Sequence, residues 1–227
     1  MWPSITLQSA AFWVLPSSKL SDDTIYLPLL YSEQQVQRHV GSPGPLANRV
    51  YRYSWNGSAL VNPSLILDLP VALGPSHDGG IMTFGPDGKL YVVIGDLNRD
   101  GQLQNFSTGP GPDNTGVIFR VNDDGCVPSD NPFLSHGGNL AKYYVYGIRN
   151  SFGLAFDPIT GELWDTENGP NSYDEINLVL PGFNSGWEQI MGPDSRDPQG
   201  LGNLVSFPGH TMRILGSHGL IPWDQPP

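Results

Sequence analysis

The chain has 227 residues, enough for one sizeable core or two small ones. It carries 22 Asp and Glu against 11 Lys and Arg, a formal net charge of −11, which argues against nucleic acid or an anionic membrane surface as partner and favours metal cations. The single cysteine, Cys126, leaves no internal disulfide and no Cys-based zinc site, and no apolar run approaches the ~18 residues of a membrane-spanning helix.

With 28 glycines, 22 prolines, six tryptophans and nine tyrosines, the composition points to an all-β protein of short strands and turns. The opening MWPSITLQSAAFWVLP is apolar but lacks a basic leader and a cleavage site, so it does not read as a signal peptide. Strands are expected at 24–31, 49–55, 64–69, 81–84, 89–94, 117–121, 143–146, 154–156, 162–165 and 175–180. Asn56-Gly57 between the second and third is a hairpin signal, with a long connection. Gly85-Pro86-Asp87-Gly88 is a tight turn in which Pro presets φ and Gly accepts a positive one. The run LYVVI (90–94) is apolar throughout, as in a strand buried on both faces. Two polar, Gly/Pro-rich loops, 97–116 and 122–139, are long enough to be either functional or disordered. Asn56-Gly57-Ser58 and Asn105-Phe106-Ser107 match the N-glycosylation acceptor pattern, which matters only in a secreted chain.

An internal echo links FGPDGKLYVVIGD (84–96) to FDPITGELWDTENG (156–169). Each reads Phe-x-Pro, a short gap, Gly, a charged residue, Leu, an aromatic and a polar end. Such recurrence of a strand-turn-strand unit suits the blades of a β-propeller, and at ~40–50 residues per blade the chain holds about four to five. A sandwich or distorted barrel is the competing architecture, since an open arc of blades leaves sheet edges exposed.

Three groups of residues carry candidate chemistry. His77 and Asp96 lie equidistant from the turn at 85–88, so antiparallel strands bring them to one rim. An Asp that accepts from one imidazole nitrogen leaves the other as a base; a surface hydrogen bond is the plainer alternative. In YGIRNSFGLAFDP (146–158), Arg149 suits a carboxylate or quinone oxygen and Asn150 offers a donor and an acceptor, against an ordinary ion pair for the arginine. In TENGPNSYDEINL (166–178), Glu167, Asp174 and Glu175 with Asn168, Asn171 and the Gly169-Pro170 backbone offer hard oxygen ligands for Ca²⁺, against a solvated acidic turn.

Taken in order, HDGG, FGPDGKLYVVIGD, GVIFRVNDDGCVPSDNPF, YGIRNSFGLAFDP and ENGPNSYDEINL followed by NSGW resemble the soluble quinoprotein glucose/aldose sugar dehydrogenases. The motifs span about 77–187, with weaker likeness over 24–76. The resemblance implies a six-bladed β-propeller, here a single incomplete domain with a family-like core at 24–208 and an atypical tail at 209–227. It implies pyrroloquinoline quinone (PQQ) and Ca²⁺ as cofactors, and oxidation of the anomeric carbon of an aldose to a lactone. It makes His77 the general base and Asp96 its orienting partner, and makes Arg149 and Asn150 the PQQ contacts. Gly169 and Pro170 would hold a catalytic Ca²⁺ through their carbonyls, and Glu175 with backbone near Ser185 a second, structural one.

The resemblance also implies a periplasmic or extracellular location. It leaves the electron acceptor unnamed, with no C-x-x-C-H haem motif, and self-association through unpaired blade edges is an open expectation. NSGW stands where the family has NYGW, and GHTMRILGSHG (209–219) departs from it altogether. A one-base shift of plausible codons there restores a family-like stretch, so a truncated or frameshifted gene is expected. The competing functions are a non-catalytic propeller used as a binding module, as in hedgehog-interacting-like relatives, and a calcium-stabilised structural fragment.

Overall fold

The computed structural model describes residues 24–29, 47–72, 77–192 and 205. The apolar opening and the tail at 209–227 lie outside these residues, and with them the expectations of a missing leader and a shifted frame. The described residues hold ten strands and three single-turn 3-10 helices, so this part of the chain is all-β. All strand pairing within the sheets is antiparallel. The chain falls into two compact units, Met1–Leu73 and Gly74–Pro227.

The first unit is a three-stranded meander of β1 (Thr24–Leu29), β2 (Asn48–Trp55) and β3 (Leu60–Leu69). The β2–β3 connection is short, contrary to the sequence expectation, because β3 starts at Leu60 rather than Ser64. Asn62 and Pro63 interrupt the strand pattern there, and a bulge absorbs them: Arg52 faces Ser64 while Ser54 faces Val61, with Asn62 at φ +54°. Asn56 closes the turn by accepting from the Ser58 and Ala59 amides at 3.0 and 2.8 Å.

The second unit begins with a four-stranded meander of β4 (Met82–Phe84), β5 (Leu90–Ile94), β6 (Val117–Val121) and β7 (Tyr143–Tyr146). A three-stranded meander follows, β8 (Ser151–Phe156), β9 (Leu163–Glu167) and β10 (Glu175–Val179). Every residue of β5 and β6 is buried, as two interior strands covered on both faces require. The echo seen in the sequence is structural: Phe84 faces Leu90 across the β4–β5 turn, and Phe156 faces Leu163 across the β8–β9 turn. Tyr91, Val93, Ile118, Val145 and Ile148 pack with Leu154, Leu163, Val179 and Phe183 in one apolar core between the two sheets. The Tyr91 ring meets Phe156 and Tyr144 edge-on, at 5.0 and 5.1 Å between centroids.

Arg120 lies inside β6 with 6% of its side chain exposed. It donates to Asp87 in the β4–β5 turn at 2.8 Å, to Asp130 at 2.8 Å and to Asn131 at 2.8 Å. Asn131 in turn donates to the carbonyls of Arg120 and Ala141. One cation thus ties the β4–β5 turn and the 122–142 loop to the sheet, so that loop is packed and not loose. Arg120→Met should lower the free energy of urea unfolding by about 2–4 kcal/mol, because it strips a buried network of its centre. Asp130→Asn, at a site 69% exposed, should cost less than about 1 kcal/mol.

Candidate active site

The site is built where β5 ends. The pairing of Met82 with Val92 continues upstream, with the Val93 amide donating to Ile81 and Gly80 to the Val93 carbonyl, each at 3.0 Å. Gly79 makes this approach feasible: it sits at φ +70°, and a Cβ there would meet the Val93 carbonyl at 2.8 Å. At Gly95 the crowding is greater, since a Cβ would lie 2.1 Å from the His77 carbonyl and 2.6 Å from that of Arg149. The HDGG segment, the end of β5 and the start of the β7–β8 connection therefore meet at one glycine.

That junction brings His77 and Asp96 together, with Nδ1 at 2.5 Å from Oδ1. Asp96 is only 2% exposed, so the pair is not the surface contact that the spacing also allowed. The Asn98 amide donates to Oδ1 at 2.9 Å, and the Trp187 indole Nε1–H donates to Oδ2 at 2.7 Å. Donors on both oxygens satisfy the hydrogen-bonding needs of a buried carboxylate. With Nδ1–H given to Asp96, the imidazole presents Nε2 as a proton acceptor.

Arg149 stands beside this pair through the same tryptophan, its guanidinium carbon 5.0 Å from the centroid of the Trp187 ring. Its Nη1 donates to the Asn168 and Gly169 carbonyls at 2.9 and 3.2 Å, and it forms no ion pair among the described residues. The buried Nε has no hydrogen-bond partner among the described residues. A buried donor with nothing to donate to is costly, and an anionic or quinone oxygen would satisfy it. Asn150 follows directly, half-buried, with its carbonyl taking the Asn168 amide at 3.0 Å.

The acidic cluster separates on folding. Asp174 is exposed and accepts from the Gly169 amide at 3.0 Å, closing the turn. Glu167 and Glu175 face each other across β9 and β10 and are buried. Glu167 accepts from the Arg149 amide at 2.7 Å and from the Ser185 hydroxyl at 2.8 Å, so it braces the arginine's backbone. Glu175 accepts from the Gly192 amide and from Asn177. Burial, then Glu175 and Asp165, drive the Glu167 carboxyl well above the ordinary carboxylate range. Asp165 accepts from the Ser151 hydroxyl, and its other oxygen is buried without a partner among the described residues; burial pushes this carboxyl up to about 7. Among the described residues no three His, Cys, Asp or Glu side chains gather as a metal site.

Sequence reasoning assigned no role to Trp187 beyond its place in NSGW, and read Asn105, which helps to fix it, only as a glycosylation acceptor. The Trp187 amide donates to the Gly147 carbonyl at 3.1 Å, and its carbonyl accepts from Asn105 at 2.7 Å. Asn105 and Asn184 bond each other reciprocally, at 3.1 and 2.7 Å. The loop at 97–116 is thus part of the support under the site. Asn105, 1% exposed, is also closed as a glycosylation acceptor, whereas Asn56 is exposed. Trp187 further lines an open cleft of about 400 Å³ with Pro170, Tyr173, Glu188 and Gln189. His77 and Asp96 do not line that cleft, and Trp187 is the side chain common to both. No helix among the described residues is long and apolar enough to cross a membrane.

Comparison with known proteins gives consistent relatives. The family model described as Glucose / Sorbosone dehydrogenase matches residues 18–201. Quinoprotein glucose dehydrogenase B of Acinetobacter calcoaceticus is 34% identical over 193 residues, which cover 78% of this chain and 39% of that protein. Aldose sugar dehydrogenase YliI of Escherichia coli (strain K12) is 37% identical over 112 residues, 49% of this chain and 29% of the relative. Among solved structures, the PQQ-bound form of the aldose sugar dehydrogenase from Streptomyces coelicolor superimposes with a TM-score of 0.60 at 27% identity, covering 82% of this chain and 51% of that one. The chain therefore spans well under half the length of the curated relatives it matches.

The buried acid on β9 generates a pH dependence. The folded protein keeps the Asp165 proton that the unfolded chain releases, so the cost of this carboxyl is absent below about pH 4 and complete above about pH 7. Asp165→Asn removes that cost. Relative to the original protein, it should gain stability in urea unfolding as pH rises from 4 to 8, by up to about 4 kcal/mol.

Proposed function

The chain belongs to the glucose/sorbosone dehydrogenase family, and on that premise we propose that it carries the proton-accepting and quinone-holding part of a PQQ- and calcium-dependent aldose sugar dehydrogenase. The reaction is oxidation of the sugar's anomeric carbon to a lactone. The observation that carries the reading is the buried His77–Asp96 pair at 2.5 Å, set beside an arginine whose Nε lacks a partner among the described residues. The sheet echo supports a place for both second-unit sheets in a six-bladed β-propeller, of which this chain supplies about four to five blades.

In this reading Asp96 holds the imidazole by Nδ1–H, and His77 takes the proton of the anomeric hydroxyl at Nε2. The carboxylate stabilises the imidazolium that results, so the proton leaves the sugar at low cost. Arg149 and Asn150 bind PQQ, the first through its Nε, which lacks a partner among the described residues, and the second through its amide. When bound, the quinone accepts the two electrons of the oxidation and calcium offsets the charge that builds on its oxygens. Carbonyl oxygens of Gly169 and Pro170 are hard donors and suit that ion in kind. Gly169's oxygen takes Arg149 Nη1 at 3.2 Å, a bond with which an ion at that oxygen would compete. Glu175, with backbone near Ser185, is the proposed second calcium site. An aldose substrate, an external electron acceptor and a periplasmic or extracellular setting complete the proposal.

Purified protein supplied with PQQ and Ca²⁺ should bind the quinone, seen in its absorbance, and reduce a dye with glucose or another aldose as donor. His77→Ala should keep quinone binding and lower kcat/KM by about 10²–10⁴. Quinone binding with no turnover in the original protein would favour the non-catalytic binding module. Calcium-dependent melting with no quinone binding would favour the structural fragment.

A further inference from the structure

Among the described residues Trp187 is the side chain that touches both halves of the candidate site. Its indole N–H can only donate, and it donates to Asp96 Oδ2 at 2.7 Å, on the oxygen that His77 does not use. Its ring lies under the guanidinium of Arg149, 5.0 Å from centroid to carbon. The main chain around it is held at three points: its amide on the Gly147 carbonyl, its carbonyl by Asn105, and the Glu188 amide on the Gln104 carbonyl at 2.7 Å. The backbone that carries the indole is thus anchored independently of Asp96 and Arg149.

We propose that Trp187 is a positioning residue that sets the proton affinity of His77 through Asp96 and, with the same ring, fixes Arg149 over the quinone-binding position. The proposal rests on the reading of His77 as proton acceptor. Asp96 Oδ1 receives the imidazole and the Asn98 amide, and Oδ2 receives the indole. Each donor draws negative charge away from the imidazole and weakens the carboxylate's hold on an imidazolium. Removing the indole donor leaves Asp96 a stronger partner for protonated His77. The charged residues nearest the pair along the chain are Asp78, beside His77, and Arg99 and Asp100 on the same connection as Asp96; Glu188 lies close enough to feel Asp96 and Asp100, and Arg149 adjoins the pair through the Trp187 ring. Arg99 is already paired with Asp113. A change confined to the indole leaves all of these in place.

The decisive measurement is the imidazole titration of His77 by ¹⁵N NMR, assigned by its loss in His77→Gln, in the original protein and in Trp187→Phe. Phenylalanine keeps an aromatic face for Arg149 and deletes the N–H. The His77 midpoint should rise by about one pH unit, and a midpoint unchanged within about 0.2 unit would overturn the proposal. A measurement on the unaltered protein keeps the idea exposed should the variant fold poorly. The Trp187 indole ¹H resonance should move with pH at the His77 midpoint, and an indole resonance blind to that titration would overturn it equally. Neither readout needs quinone or sugar, so a protein without turnover that still shows both effects would sink the functional reading and leave the role of Trp187 standing. With PQQ present, Trp187→Leu should weaken quinone binding more than Trp187→Phe does, and equal affinities would remove the ring's part in holding Arg149.

Discussion

A carboxylate buried to 2% exposure has to find donors for both oxygens, and Asp96 finds them in three separate stretches of chain: His77 ahead of β4, Asn98 just beyond β5, and Trp187 some 90 positions later. No local segment supplies this set. It exists because the two sheets of the second unit pack on one apolar core, which fixes how far the 182–187 turn stands from the end of β5. The histidine and the indole of Trp187 converge on that carboxylate, and Arg149 stands over the same tryptophan ring. Were the carboxylate unpaired, its desolvation would work against the fold itself, so the polar contacts at the site and the stability of the unit share one origin.

The two echoing sheets show how similar local patterns are put to different use. In the first, the two residues that follow the leading Leu90 on alternate positions are Val92 and Ile94, both deep in the core. In the second, the same positions after Leu163 are Asp165 and Glu167, equally buried. Aliphatic packing has given way to carboxyl groups, which raises their proton affinity and costs stability. Glu167 converts part of that cost into geometry, because it holds the Arg149 amide and the Ser185 hydroxyl at once. A strand that would pack better with valine and isoleucine is instead wired to the backbone of the arginine.

The loops follow the same logic. Arg120 draws the 122–142 segment onto β6, and the Asn105–Asn184 pair draws 97–116 under Trp187. Both are long and polar because they carry side chains that bond inward rather than apolar ones that pack. A polar loop of this kind looks loose in composition and is held in fact by hydrogen bonds of high sequence separation.

Much of this protein was legible in its residues. The β-character, nearly all strand positions, the tight turn at 85–88, the repeat of Phe-x-Pro units and the convergence of His77 with Asp96 follow from period-2 patterns, turn chemistry and symmetric spacing about a hairpin, all of which are local. The early start of β3 was not legible, because Asn62 and Pro63 hide a bulge that only the partner strand reveals. Nor was the fate of the acidic stretch, where Asp174 stays in solvent in the turn before β10 while Glu167 and Glu175 turn inward, since that depends on β10 pairing with β9. The donor to Asp96 Oδ2 and the acceptor of the Arg149 amide lie far off along the chain, and spacing holds no information about which distant side chain a packed core will deliver. Composition and local pattern determined the kinds of elements and the nearest chemical pair. Packing between sheets, which acts on residues remote in sequence, decided which of the remaining polar groups meet them.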